Sequence, residues 1–124
     1  MLKPLLLLLA MLLSFGAPGP AAAEPRLLMA EEVGCPWCAR WNREIAPIYA
    51  NTPEGRAAPL VRFDIHGPKP DVEFARSVRF TPTFILVDEG RELSRIEGYP
   101  GEDFFWGLLA RMLVEARIPL EADS

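Results

Sequence analysis

The chain has two cysteines, three positions apart in Gly34-Cys35-Pro36-Trp37-Cys38. Side chains at i and i+3 of a helix share a face, and Cα atoms at that spacing fall within the roughly 4.4 to 6.8 Å that a disulfide spans. The pair can therefore open and close without moving the fold. The two thiols are not equivalent. Cys35 stands where a helical pattern begins, so that free backbone N–H groups and the positive end of the helix dipole stabilise its thiolate; Cys38, one turn further in, is expected to be more buried. Cys35 is then the attacking sulfur and Cys38 the resolving one. A target disulfide attacked by Cys35 gives a mixed disulfide, and Cys38 releases the target thiol as the internal bond closes.

The same residues limit the other uses of the pair. A purely structural disulfide gains little here, because so small a loop removes little entropy from the unfolded chain. Zinc needs four ligands, and one CxxC with His66, the sole histidine, leaves the tetrahedron at least one short. Cu(I) prefers soft thiolates, so a metal-binding module built on Cys35 and Cys38 stands as the reading from a different class. No cofactor beyond the redox-active pair is expected.

The elements that must hold the pair can be read around it. Residues 26–32 form a short apolar run ended by Val33-Gly34, a buried strand. Residues 35–49 carry Cys38, Trp41, Ile45, Ile48 and Tyr49 at spacings of three and four, one helical face, with Pro36 in the tolerant first turn and Pro47 expected to kink or end the helix. Residues 51–59 read as a loop. A second strand spans residues 59–65 with Val61, Phe63 and Ile65 on one face and Leu60 out of phase. Asp71 is read as the cap of a short helix carrying Val72, Phe74, Ala75 and Val78. Residues 83–87 are the strongest strand, turned by Asp88-Glu89-Gly90 into a hairpin with residues 91–97. A last helix over residues 102–116 places Phe105, Leu108, Leu109, Met112 and Ala116 on one face.

The order is strand, helix, strand, helix, strand, strand, helix. Strands separated by helices are expected to run parallel, with the final hairpin adding an antiparallel edge. The fold class is α/β, a mixed four-stranded sheet (β-α-β-α-β-β-α) flanked by helices.

The 124 residues allow one small domain. Met1 to Lys3 make a positive start, an apolar run from Leu5 to Leu13 follows, and Ala21-Ala22-Ala23 offer a small-residue cleavage site. That run is broken by Gly16 and Pro18 well before the roughly 20 apolar residues a bilayer needs. Residues 1–23 are therefore read as a secretory signal cut after Ala23, residues 24–118 as the domain, and residues 119–124 as a frayed tail. The mature protein is expected to be exported and soluble, not membrane-embedded, in a compartment where thiols tend to be oxidised. The whole chain carries a net charge of −4 and its arginines are scattered, which speaks against nucleic acid as a partner.

With CPWC after the first strand and Thr81-Pro82-Thr83 just before the hairpin strand, the chain resembles the thioredoxin superfamily, in the short glutaredoxin-like form, over nearly all of residues 24–118. The resemblance implies a three-layer fold and thiol–disulfide exchange with protein substrates. It further implies a cis Pro82 facing the cysteines, a Thr81 backbone that pairs with an extended substrate segment, and Pro36 and Trp37 in the surface that meets it. Thioredoxins proper have a Trp before the first cysteine and a Gly-Pro dipeptide after it, where this chain has Gly34 and Pro36-Trp37. The acid that thioredoxins bury beneath the second cysteine falls on Met29, leaving Glu31 or Glu32 as the candidate to relay a proton to Cys38.

A narrower likeness is to the SoxS-type thioredoxins of bacterial sulfur-oxidation clusters, carried by Cys38-Ala39-Arg40-Trp41-Asn42-Arg43-Glu44-Ile45, by Glu54-Gly55-Arg56-Ala57-Ala58-Pro59-Leu60 and by Gly98-Tyr99-Pro100-Gly101-Glu102-Asp103-Phe104-Phe105-Trp106. That family implies a periplasmic reductant that keeps a sulfur-carrier protein's cysteine in working form, itself recharged by an upstream membrane or soluble thiol reductant. Direction rests on that likeness alone, with oxidase or isomerase activity the alternative. Among the remaining candidates, Trp41 is expected in the core, Trp37 at the rim, Phe105 on the axis of the last helix's apolar stripe, and His66 on the surface.

Overall fold

Leu27, Leu28, Met29 and Ala30 are all fully buried, and so are Phe84, Ile85, Leu86 and Val87. A run of apolar residues without alternation belongs to a strand covered on both faces. These runs form the two central strands, β1 (Arg26–Glu31) and β3 (Thr83–Asp88), of a four-stranded sheet whose edges are β2 (Leu60–Asp64) and β4 (Arg91–Glu97), in the order β2-β1-β3-β4. The computed structural model describes residues 24–121 and, ahead of them, Gly16 alone. The signal read over residues 1–23 thus lies, but for that glycine, outside the described residues, as do the last three positions of the tail.

Four helices accompany the sheet among the described residues: α1 (Pro36–Glu44), α2 (Ala46–Tyr49), α3 (Pro53–Ala57) and α4 (Glu102–Glu115). The single helical pattern over residues 35–49 is broken at Ile45, because Pro47 has no N–H to offer the preceding turn. A short helix, α3, replaces part of the loop expected over residues 51–59. Thr52 caps it by accepting the Gly55 N–H at 3.0 Å and donates its own hydroxyl to the Tyr49 carbonyl at 2.7 Å. Five residues are too few to show a helical period in sequence. Glycine is required at position 55, since a Cβ there would meet the Tyr49 carbonyl oxygen at 1.7 Å.

One face of the sheet packs on the helices. Leu27, Met29, Phe84 and Leu86 meet Trp41 of α1 and Phe105 of α4, and the Phe105 ring lies 4.9 Å from Phe84 and 5.8 Å from Trp41. Of three consecutive aromatics on α4, Phe105 is buried, Trp106 stacks on Tyr49 at 6.0 Å, and Phe104 is exposed. Phe105, Leu109 and Met112 are buried as the stripe predicts, but Leu108 is exposed and Leu113 is buried in its place, so the face is turned toward Leu113.

The other face corrects the reading of residues 71–78. No helix forms from Asp71; an extended segment lays Val72, Phe74 and Val78 over Leu28, Phe63, Ile85 and Val87. Its backbone is satisfied from β4 and the turn before it instead. The Glu73 N–H donates to the Gly90 carbonyl and the Glu92 N–H to the Glu73 carbonyl, both at 2.9 Å, and the Ala75 N–H donates to Glu92 Oε1 at 3.1 Å.

The same segment sets the direction of β3. β1 and β2 are parallel, as expected, with Leu27 opposite Leu60, but β3 runs antiparallel to β1, with Ala30 opposite Thr83. Residues 65–82 descend to the Gly90–Glu92 corner and climb back, so β3 starts at the end of the sheet where β2 finishes. A parallel β3 would have needed a crossover ending at the opposite end of the strands. The β3–β4 hairpin turns at Glu89 and Gly90, whose φ angles of 51° and 77° suit the twist of the flanking strands.

Candidate active site

The ends of β1 and β2 and the start of β3 bring three loops together at one end of the sheet, and Cys35 lies in the first of them. It is the N-cap of α1, with extended backbone, and its Sγ accepts the Cys38 N–H at 3.1 Å. Pro36 follows at the first helical position, where a missing N–H costs nothing. Cys38 points inward and is 4% exposed, while Cys35 is only partly buried. The two are joined as a disulfide with their Cα atoms 5.3 Å apart, inside the range read from the spacing. An open cleft of about 500 Å³ lies beside them, lined by Glu32, Gly34, Cys35, Cys38, Asn42 and Asp64 among others.

Trp37 is 52% exposed and the Arg40 guanidinium sits 5.7 Å above its ring and 5.7 Å above that of Tyr99. This cation–π stack braces the rim beside the cysteines. Arg40 also pairs with Glu44 at 2.6 Å, and Tyr99 donates its hydroxyl to the same carboxylate at 3.1 Å. Burial, reinforced by Glu44, pushes the Tyr99 phenol up to about 12, so it remains a neutral donor. Trp41, by contrast, is fully buried in the core.

The third loop carries Thr81 and Pro82. Their peptide bond is cis, Pro82 is buried, and its carbonyl accepts the Gly98 N–H at 2.7 Å. Beside them Phe80 is 58% exposed although large and apolar. Of the two acids read as relay candidates, Glu31 is engaged by Arg62 at 2.7 Å. Glu32 accepts the Thr81 hydroxyl at 2.6 Å and faces His66 Nε2 at 2.7 Å; these hydrogen bonds, Thr81's first, hold its carboxyl below the usual glutamate range. His66 is exposed, as expected, yet it is tied to the site. Sequence reading missed both the Glu32–Thr81 link and Phe80, for which the only signal was a bulky apolar residue in a polar loop.

Among the described residues no group of three or more His, Cys, Asp or Glu is arranged to hold a metal ion, and no helix is long and apolar enough to cross a membrane. Comparison of the whole chain with known proteins matches no family model and no curated protein. Among solved structures it is similar to the periplasmic thioredoxin SoxS from Paracoccus pantotrophus, crystallised in its reduced form, with 56% identity over 75% of this chain and 99% of that one, and a TM-score of 0.73. The chain belongs to the SoxS thioredoxins. Like other SoxS thioredoxins it is a thiol–disulfide oxidoreductase, and its Cys35–Cys38 disulfide is the redox-active group.

Proposed function

We propose that the protein is exported, loses residues 1–23, and acts as a reductase of disulfides or cysteine adducts on a partner protein, with Cys35 as nucleophile and Cys38 as resolving thiol. The observation that carries this reading is the asymmetry of the pair: Cys35 sits partly open at the helix N-terminus, and Cys38 lies beneath it at 4% exposure. The Cys35 thiolate attacks one sulfur of the partner's disulfide, so that an inter-protein S–S bond forms as the partner's own breaks and a partner thiolate leaves. Cys38 then gives up its proton and attacks Cys35 Sγ, which frees the second partner thiol and closes the Cys35–Cys38 bond. Two electrons pass to the partner, and an upstream thiol reductant restores the pair. Pro36 and Trp37 form the apolar rim that meets the substrate, and the Thr81 backbone, presented by Pro82, pairs with its extended segment. The partner is a protein whose working cysteine becomes oxidised or capped, for which the sulfur carrier of sulfur oxidation is the candidate implied by the family.

The test is disulfide trapping in the native compartment. Cys38→Ser is expected to accumulate mixed disulfides through Cys35, Cys35→Ser to trap few, and the recovered chain to begin at Glu24. Equal trapping by the two variants would overturn the roles, and a retained N-terminus would overturn the processing.

A further inference from the structure

Among the described residues, Glu32 is the side chain that links all three loops at the active end of the sheet. It stands three residues before Cys35, its Oε1 accepts the Thr81 hydroxyl at 2.6 Å, and its Oε2 faces His66 Nε2 at 2.7 Å in the loop that follows β2. His66 is itself held, its backbone N–H donating to Asp64 Oδ1 at 2.7 Å. Neither contact belongs to the core: the Glu32 side chain is 35% exposed and that of His66 76%. Exposed polar contacts of this kind add little to stability. What the two bonds do fix is geometry. Thr81 lies 49 positions away in sequence, and no strand pairing reaches it, because the β1–β3 ladder ends at Ala30 and Thr83.

We infer that Glu32 is a positioning residue for the exchange reaction, clamping the Thr81–Pro82 loop at a set distance from Cys35 so that a peptide paired along Thr81 presents its disulfide to the Cys35 sulfur. This rests on the proposed docking of substrate at Thr81. Thiol–disulfide exchange needs the attacking sulfur close to and aligned with the bond it breaks, and a misplacement of about 1 Å can cost on the order of a hundredfold in rate. A carboxylate is suited to the task because it accepts from two donors at once and its charged hydrogen bonds are short. The ionised state persists at neutral pH, since both partners favour it.

A docked peptide depends on the clamp, whereas a small disulfide that makes no backbone contact does not. The experiment measures kcat/KM for a cystine-containing extended peptide and for hydroxyethyl disulfide, using the full oxidoreductase. Glu32→Ala is expected to lower the peptide-to-small-disulfide ratio by about three- to tenfold, the order of one net hydrogen bond, with the loss in kcat rather than KM because the clamp aligns the disulfide. Thr81→Val should lower the ratio similarly, Thr81→Ser should restore it, and Glu32→Ala combined with Thr81→Val should do no worse than either alone. A ratio unaltered in Glu32→Ala, or additive losses in the double variant, would overturn the clamp. If the wild-type protein shows no preference for the peptide, the docking reading fails and the clamp fails with it.

Discussion

Cys35 and Cys38 carry the same functional group in different surroundings, and reactivity follows the surroundings. Cys35 Sγ takes a backbone N–H at the start of α1 and is reachable from the cleft, whereas Cys38 is enclosed by the core side of the helix. In the fully reduced protein at neutral pH, limiting iodoacetamide is therefore expected to label Cys35 well before Cys38, read by peptide mass mapping; the reverse order would contradict the assignment. Both cysteines, the rim position of Trp37 and the burial of Trp41 were legible in the sequence, because each depends on spacing along one helix. Glu32 was legible only as an acid near the pair. Its bond to Thr81 was not, since no local rule says which distant hydroxyl an exposed carboxylate will meet.

The edge strand β4 shows how a local irregularity organises an element. Residues three apart on a regular strand face opposite sides. Yet Glu92 and Arg95 pair at 2.6 Å with side chains only 2% and 3% exposed. A register shift opposite Leu86 and Val87 inserts an extra residue, Leu93, and turns both charges to the same face. From there Arg95 donates to the carbonyls of Arg76 at 2.9 Å and Ser77 at 3.2 Å, and Glu92 accepts the Ala75 N–H. The extended segment that leads to Phe80 and Thr81 is thus tied by the Glu92–Arg95 pair, which Glu97 extends at 3.6 Å from Arg95, as well as by its backbone bonds and apolar packing. Removing one partner leaves the other charge uncompensated, so Arg95→Ala is expected to lower unfolding free energy by about 3 to 5 kcal/mol in denaturant titrations. Burial opposes ionisation of Glu92, but the hydrogen bonds from Arg95 and Ala75 outweigh it and hold the carboxyl below its ordinary 4.5. A carboxyl depressed in the folded state contributes stability above its unfolded value, and loses it as pH falls through the lower, folded one. Stability is therefore expected to fall below about pH 4.5, and Glu92→Gln to flatten that dependence.

At the scale of the whole molecule, a domain of this size has one principal core, and Phe105 is its keystone between α4 and the sheet. Its ring touches Trp41, Phe84, Tyr99 and Trp106. Phe105→Ala is expected to cost about 3 to 5 kcal/mol, against a total stability on the order of 5 to 15 kcal/mol for a domain. Calorimetry should show a large fall in Tm, and a loss under about 1 kcal/mol would mean that the core closes around the gap in a way the packing does not suggest. Phe104→Ala, on the exposed side of the same helix, should change stability little.

Short-range physics placed much of this in the sequence. The CxxC pair on one helical face, the twice-covered strands β1 and β3, the hairpin at Glu89-Gly90 and the stripe on α4 each arise from backbone geometry within a few residues, and they sufficed for the fold class and the chemistry. The path of residues 65–82 did not. The caps and apolar spacing after Asp71 allowed a helix, but hydrogen bonds to Gly90 and Glu92 and the apolar surface of Ile85 and Val87 offered that segment more, and its extended course turned β3 antiparallel. Only the tertiary structure could decide that competition, because its partners lie far along the chain, and with it the meeting of Glu32, Thr81 and Cys35 at one end of the sheet.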